Sequence, residues 1–208
     1  CGAFTNLERI ENLISPNDTV QLVVRDELVP LVQERFPNIT INPDLLSQGI
    51  WLNGAGLWTG KILKNLTSGK SYTKNGIVIA MYNNDAIPLS DFHPYLDNAN
   101  LVSTEIDIQF MENIWEGIFL QSDVITSDAK YFIEYNRGKI HPSVAIENGD
   151  NIFLGNGSEV CAGSVLDARS GPIIIAGNSY IDIGALIQGP VYIGPDCRIN
   201  PGAKVRKN

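Results

Sequence analysis

The sequence is short of the side chains that most sites are built from. It has two histidines and three cysteines, Cys1, Cys161 and Cys197. Cysteines this few and this scattered form neither a disulfide framework nor a CxxC zinc site. Long hydrophobic runs are missing as well. No stretch approaches the roughly 18 to 20 apolar residues that span a bilayer, so no membrane partner is expected. Basic residues are the scarcer charge: 15 Lys and Arg stand against 23 Asp and Glu, for a net charge of -8. That balance lacks the clustered cations a phosphate backbone demands, and no nucleic-acid partner is expected. Apolar residues make up 44% of the 208, an ordinary share for a folded chain rather than a disordered one.

What is plentiful is glycine and proline, 19 and 11 residues. They are unevenly spread. Residues 140–208 hold 10 of the glycines with 6 acids and 5 bases, whereas residues 1–139 carry 17 acids and 10 bases. This shift places a domain boundary near Gly138, giving domains 1–138 and 139–208.

The first domain alternates between strand and helix signals. Thr5 and Glu8 make a capping box before a helix whose Leu7, Ile10 and Ile14 share a face. Val20–Val24 reads as a buried strand, Asp26–Phe36 as a helix with Asp26 as cap and Pro30 in its first turn. Strands at Ile39–Ile41, Ile50–Leu52 and Ile77–Tyr82 follow, with a helix over Leu57–Leu66 and a connecting helix over Asp128–Tyr135. Trp115, Ile118 and Phe119 are expected to pack against the sheet. The order predicts an α/β layer with a largely parallel sheet.

The second domain has a repeat. Aliphatics recur every six positions at Leu154, Val160 and Leu166. After a three-residue insertion around Ser170-Gly171-Pro172 the phase resumes at Ile175, Ile181, Ile187, Ile193, Ile199 and Val205. Ile140 and Ile146 share the period. Small residues sit two positions earlier: Ser158, Ser164, Ser179, Ala185, Cys197 and Ala203. A period of six fits neither a helix nor a flat strand. It predicts a three-sided parallel β-helix with the aliphatics inward and the small residues at its corners. Cys161 and Cys197, at or near inward positions, are expected to be buried.

These hexads, with IHPSVAI (140–146) and GPVYIGPDCRINPGAKVR (189–206), resemble the left-handed β-helices of hexapeptide-repeat transferases. With an α/β domain upstream, the chain resembles the sugar-1-phosphate nucleotidyltransferases that carry a β-helix tail, a family that includes bifunctional N-acetylglucosamine-1-phosphate uridylyltransferase/glucosamine-1-phosphate acetyltransferases. The opening CGAFTNLERIENL is similar to the segment after the first strand and loop of such proteins. The resemblance implies a cytoplasmic transferase, homotrimeric through the β-helix, that joins a sugar 1-phosphate to a nucleoside triphosphate with Mg²⁺. It also implies that both domains are incomplete here, the first at its N-terminal end and the second at its C-terminal end, and that this stretch alone is inactive.

Candidate site residues follow from the same comparison. Ile50-Trp51-Leu52-Asn53-Gly54-Ala55 resembles the family's strand ending in Asn-Gly-Asp, which makes Asn53 and Gly54 candidate substrate-binding residues. Ala55 stands where the metal-binding Asp belongs, so no metal ligand is identified. Two alternatives stand beside nucleotidyl transfer. One is an acyltransferase using acetyl-CoA, with His141 as candidate base. The other is a non-catalytic trimerising scaffold. His93 is expected in a loop, Trp51 and Trp58 in the core, and Lys204, Arg206 and Lys207 as a solvated basic end.

Overall fold

The computed structural model describes residues 1–98 and 102–206. The chain divides into two units, Asn6–Met111 and one that joins Cys1–Thr5 to Glu112–Asn208.

The Asn6–Met111 unit runs α1 (Asn6–Glu11), β1 (Gln21–Leu22), α2 (Val29–Arg35), β2 (Thr40–Ile41), β3 (Leu45–Leu46), β4 (Gly49–Leu52), α3 (Gly60–Leu63), β5 (Lys70–Lys74), β6 (Ile77–Asn83), β7 (Ile87–Pro88), α4 (Leu89–Asn98) and β8 (Val102–Glu105). Its main sheet has the order β4-β6-β5-β8. The β4–β6 and β5–β6 pairs are antiparallel and only β5–β8 is parallel. The expected largely parallel sheet is thus corrected, and the cause is local. Asn75 and Gly76 both adopt left-handed backbone, with φ of 51° and 77°, the conformation that closes a two-residue hairpin between right-twisted strands. The strand before that turn, Lys70–Lys74, carries polar residues at most positions and gave no apolar run to detect. A parallel pair does form between β1 and β2.

Two helices are shorter than the sequence suggests. Thr59 caps α3, its hydroxyl accepting from the Ile62 N–H at 3.3 Å, so Leu57 and Trp58 lie ahead of the helix. Asp26 opens a 3-10 turn rather than capping α2; its carboxylate accepts from the Asn42 side-chain amide at 3.3 Å. His93 lies within α4, not in a loop. The core gathers Trp58, Tyr72, Ile79, Ala80 and Ile108, with Ile10, Leu13, Leu52 and Ile62 against it.

The second unit contains α5 (Glu116–Asp128) and eleven short strands: β9 (Lys139–Ile140), β10 (Ala145–Glu147), β11 (Ile152–Leu154), β12 (Glu159–Val160), β13 (Val165–Asp167), β14 (Ile173–Ile175), β15 (Tyr180–Ile181), β16 (Leu186–Gln188), β17 (Val191–Ile193), β18 (Arg198–Ile199) and β19 (Lys204–Val205). They fall in rotation onto three sheets, β9-β12-β15-β18, β10-β13-β16-β19 and β11-β14-β17, and every pairing is parallel. The chain therefore winds as a three-sided coil. The six-residue aliphatics meet across it: Val160 pairs with Ile181 and Ile181 with Ile199, Leu166 with Ile187, Ile175 with Ile193. Val160, Leu166, Ile175 and Ile181 have no exposed surface. The insertion around Gly171 falls between β13 and β14, outside the ladders.

The small corner residues do more than save space. The Ser158, Ser164 and Ser179 hydroxyls donate to the carbonyls of Ala176, Asp182 and Gly194 at 2.7, 3.1 and 2.7 Å. Each ties one coil to the next and keeps a buried hydroxyl satisfied. Cys161 is buried as expected, but Cys197 is exposed. Cys197 sits on the last coil of the described residues, with no further rung over it.

One face of the coil is covered. Phe153, Ile174 and Tyr192 share a rung on β11, β14 and β17 and pack with Ile125, Phe132 and Phe4. This is why residues 112–138 go with the coil although composition separates them from it. The connecting helix is α5 followed by a 3-10 turn over Ala129–Phe132. Its buried residues are Val124, Ile125 and Asp128, all in the second half of α5. Trp115, Ile118 and Phe119, expected to pack on a sheet, are 58%, 56% and 80% exposed.

Candidate functional site

Strand β4 ends in a turn held from several sides. The Asn53 N–H donates to Ile79 O at 2.7 Å, carrying the β6 ladder one residue past the strand. The Asn53 side-chain oxygen then accepts from the Ala55 N–H at 3.0 Å, a side-chain mimic of a backbone turn. The Asn53 carbonyl accepts twice, from Gly56 N–H at 3.1 Å and from the Trp58 indole at 3.0 Å. Gly56 has to be small, because a methyl there would lie 3.0 Å from the indole. The Gly54 carbonyl accepts from the Asn6 side-chain amide at 2.7 Å. A methyl on Gly54 would meet nothing within 4 Å, so this peptide faces open space at the end of a sheet strand.

A trough of about 910 Å³ runs beside β4, lined by α1, β1, β4, β6 and α4. Asn6, Asn53 and Gly54 belong to its lining, as do Trp51 and His93. Trp51 lies against Phe92 with ring centroids 4.2 Å apart. Among the described residues no Lys or Arg lines the trough and Asp18 is its one carboxylate.

The Mg²⁺ that the resemblance implies does not fit the residues at this turn. Ala55 offers a methyl, the Asn53 side-chain oxygen is already engaged by the Ala55 N–H, and no group of three His, Cys, Asp or Glu suited to a metal occurs among the described residues.

His141 belongs to the other unit. Its Nδ1 lies 2.8 Å from the Ser143 hydroxyl and accepts from the Ser143 N–H at 3.2 Å. The Ser143 hydroxyl in turn accepts from the Gly163 N–H at 3.1 Å. His141 thus completes a turn of the coil. Lys204 and Arg206 lie at the coil's end, and Lys207 falls outside the described residues.

The sequence pointed to Asn53 and Gly54 but not to the residue that clamps them. Asn6 follows Thr5 in the capping pattern, and only the folded chain brings it to Gly54. Among the described residues no helix is long and apolar enough to cross a membrane.

A family model described as sugar nucleotidyl transferase matches residues 1–136. The match takes in the whole Asn6–Met111 unit together with α5, and stops before the coil. No curated protein matches the chain.

Proposed function

The chain belongs to the sugar nucleotidyl transferase family, and from that premise we propose that it serves the joining of a sugar 1-phosphate to a nucleoside triphosphate. A phosphate oxygen of the sugar 1-phosphate attacks the α-phosphorus of the triphosphate. The bond from that phosphorus to the β-phosphate bridging oxygen breaks, and pyrophosphate leaves. The observation that carries the assignment to a place is the β4 turn. Gly54 faces open space while its carbonyl is fixed by Asn6 and its neighbour Asn53 by Ala55, Gly56, Trp58 and Ile79. A turn held this rigidly can present backbone to a substrate without reorganising, which is what phosphate transfer asks of its surroundings.

The coil, in this reading, is left-handed and trimerises through the two faces that α5 leaves uncovered, with the protein working in the cytoplasm. One uncovered face shows a rung of Lys139, Glu159, Tyr180 and Arg198, a mixed-charge surface suited to a specific contact. His141 is bound into a turn through its Nδ1, which speaks against acyl transfer with it as base.

Calorimetric titration tests the reading, using the common nucleoside triphosphates and a set of hexose 1-phosphates. Binding of one member of each class is expected, weakened about tenfold or more by Gly54→Val, whose side chain would fill the open space. Absence of binding, or binding indifferent to Gly54→Val, would remove the assignment. A light-scattering mass of one protomer would remove the trimer.

A further inference from the structure

The turn after β4 has four oxygens of the kind that hold a cation, and each already accepts from a protein N–H. The Asn53 carbonyl accepts from Gly56 N–H at 3.1 Å and from the Trp58 indole at 3.0 Å, two donors for its two lone pairs. The Asn53 side-chain oxygen accepts from the Ala55 N–H at 3.0 Å. The Gly54 carbonyl accepts from the Asn6 side-chain amide at 2.7 Å. The Ala55 carbonyl accepts from the Met111 N–H at 3.1 Å. All four oxygens are neutral, and the residue 55 side chain is a methyl. Mg²⁺ is held by one or two carboxylates together with phosphate oxygens and waters. At this turn it would meet the positive ends of N–H dipoles and no anionic ligand. The donor side is different. The Gly54 N–H meets no acceptor among the described residues. Gly54 is exposed, and a methyl on it would have nothing within 4 Å. The turn therefore shows solvent a hydrogen-bond donor and keeps its oxygens engaged.

We propose that this turn takes a phosphate oxygen of its ligand directly on the Gly54 N–H, with no divalent cation between the two, because residue 55 supplies a methyl in place of a carboxylate. The identity of the ligand rests on the transferase reading, whereas the exclusion of a cation rests on the turn's own bonds. A hydrogen bond from a backbone N–H to an ionised oxygen is shorter and stronger than one between neutral groups. It asks only that the donor be fixed beforehand. Asn6, Ala55, Gly56, Trp58 and Met111 fix it here, so the turn keeps its shape without a metal. Both substrates of the transferase reading carry phosphate oxygens, and the direct bond is open to either.

Nuclear magnetic resonance of single amides tests both halves. Mn²⁺ stands in for Mg²⁺, since it suits the same oxygen ligands and its unpaired electrons broaden the signals of nearby amides. Added to the free protein, Mn²⁺ should broaden Gly54 and Gly56 no sooner than Gly76, an exposed glycine in the hairpin between β5 and β6. In Ala55→Asp, which places a carboxylate at the turn, Gly54 and Gly56 should broaden at about tenfold less Mn²⁺ than in the parent. Hexose 1-phosphates and nucleoside triphosphates are then titrated separately, each in excess EDTA and in Mg²⁺. Whichever class binds should do so with Kd values within about twofold of each other in the two buffers. The class seated at the turn should slow exchange of the Gly54 amide by about tenfold or more in EDTA, which tells the sugar phosphate from the triphosphate. Four results overturn the proposal: broadening of Gly54 ahead of Gly76 in the parent, an Ala55→Asp protein that broadens no sooner than the parent, a loss of binding in EDTA, or bound ligand that leaves Gly54 exchange unchanged. Binding by neither class in either buffer is a separate failure. It removes the transferase reading, and Mn²⁺ on the free protein still decides whether the turn takes a cation.

Discussion

The coil is made of strands of two or three residues and the Asn6–Met111 unit of strands of two to seven, yet the shorter strands are the better paired. In the coil every inner strand has a parallel neighbour above and below, and the residues between the faces point at one another rung after rung. Ile181 lies between Val160 and Ile199 with no exposed surface. In the Asn6–Met111 unit β1, β2, β3 and β7 are two residues long, and among the described residues they pair only as β1–β2 and β3–β7. The difference shows that strand length does not decide completeness; repetition does. A repeat supplies each strand's partner from the next copy of the same pattern, so stability is close to a sum of nearest-neighbour terms. A mixed sheet instead depends on partners from distant places in the chain.

The largest effect is expected where the coil is most complete. Ile181→Ala removes buried methyl groups between two rungs and should cost about 3 kcal/mol, within the range of roughly 2 to 5 for such truncations. Unfolding in guanidinium checks it in a Trp115→Phe background, with the fluorescence of Trp51 and Trp58 reporting the Asn6–Met111 unit and β-sheet circular dichroism reporting the coil. The coil's midpoint should fall while the Trp58 midpoint stays put. If both midpoints fell together, the two units would be one cooperative body and the comparison would fail.

A smaller effect is expected in the other unit. The Tyr72 hydroxyl accepts from the Thr67 N–H at 2.8 Å and donates to Asn65 O at 3.3 Å, and Tyr72 is 4% exposed. Tyr72→Phe leaves the Thr67 N–H without that acceptor and should cost about 1 kcal/mol. Here the Trp58 midpoint should move and the coil's should not. A shift confined to the coil would reverse the assignment of Tyr72 to the Asn6–Met111 core.

The same contrast explains what could be read before the fold was known. Val160, Leu166, Ile175, Ile181 and Ile187 announce their inward positions because a period of six recurs often enough to exclude chance. The phase slip at Ser170–Pro172 was legible for the same reason. The hairpin was signalled by Asn75-Gly76, the strongest short-range turn pair, but Lys70–Lys74 before it lacks the apolar run by which Ile77–Tyr82 was found. Burial of Cys197 failed because the pattern says which way a residue points and not whether a rung covers it. Asn53 and Gly54 were visible as a strand-end motif. The bond from Asn6 to Gly54 was not, since it joins residues far apart in sequence that meet only in the folded unit. The exposure of Trp115 and Phe119 escaped for a related reason: helical spacing shows an apolar face without showing what it meets.

The smallest expected effect separates two ion pairs on the coil. Arg198 reaches from one coil to Asp182 on another at 2.7 Å. The hydrogen bond from its guanidinium, helped by the Ile183 N–H, holds the Asp182 carboxyl below the usual carboxylate range. Arg169 does the same to Asp167, which it holds at about 2, but those partners are two residues apart in the chain. A carboxyl depressed in the folded state contributes its full stabilisation above the unfolded value near 3.9 and loses it as pH falls through the folded value. The local Asp167–Arg169 pair is also within reach in the unfolded chain, which cancels part of its contribution. The Asp182–Arg198 pair needs two stacked coils, so its contribution belongs to the folded state. Between about pH 5 and pH 2 the coil's unfolding midpoint should therefore drop further in the parent protein than in Asp182→Asn, while Asp167→Asn should follow the parent closely. Added salt should narrow the first gap, because the Arg198 side chain is exposed although its partner Asp182 is buried. The Trp58 midpoint should trace one common curve in all three proteins. Should Asp167→Asn flatten the pH dependence more than Asp182→Asn, the cross-coil contact would not be the one that matters, and the coil's advantage in long-range partners would have to rest on its buried aliphatics alone.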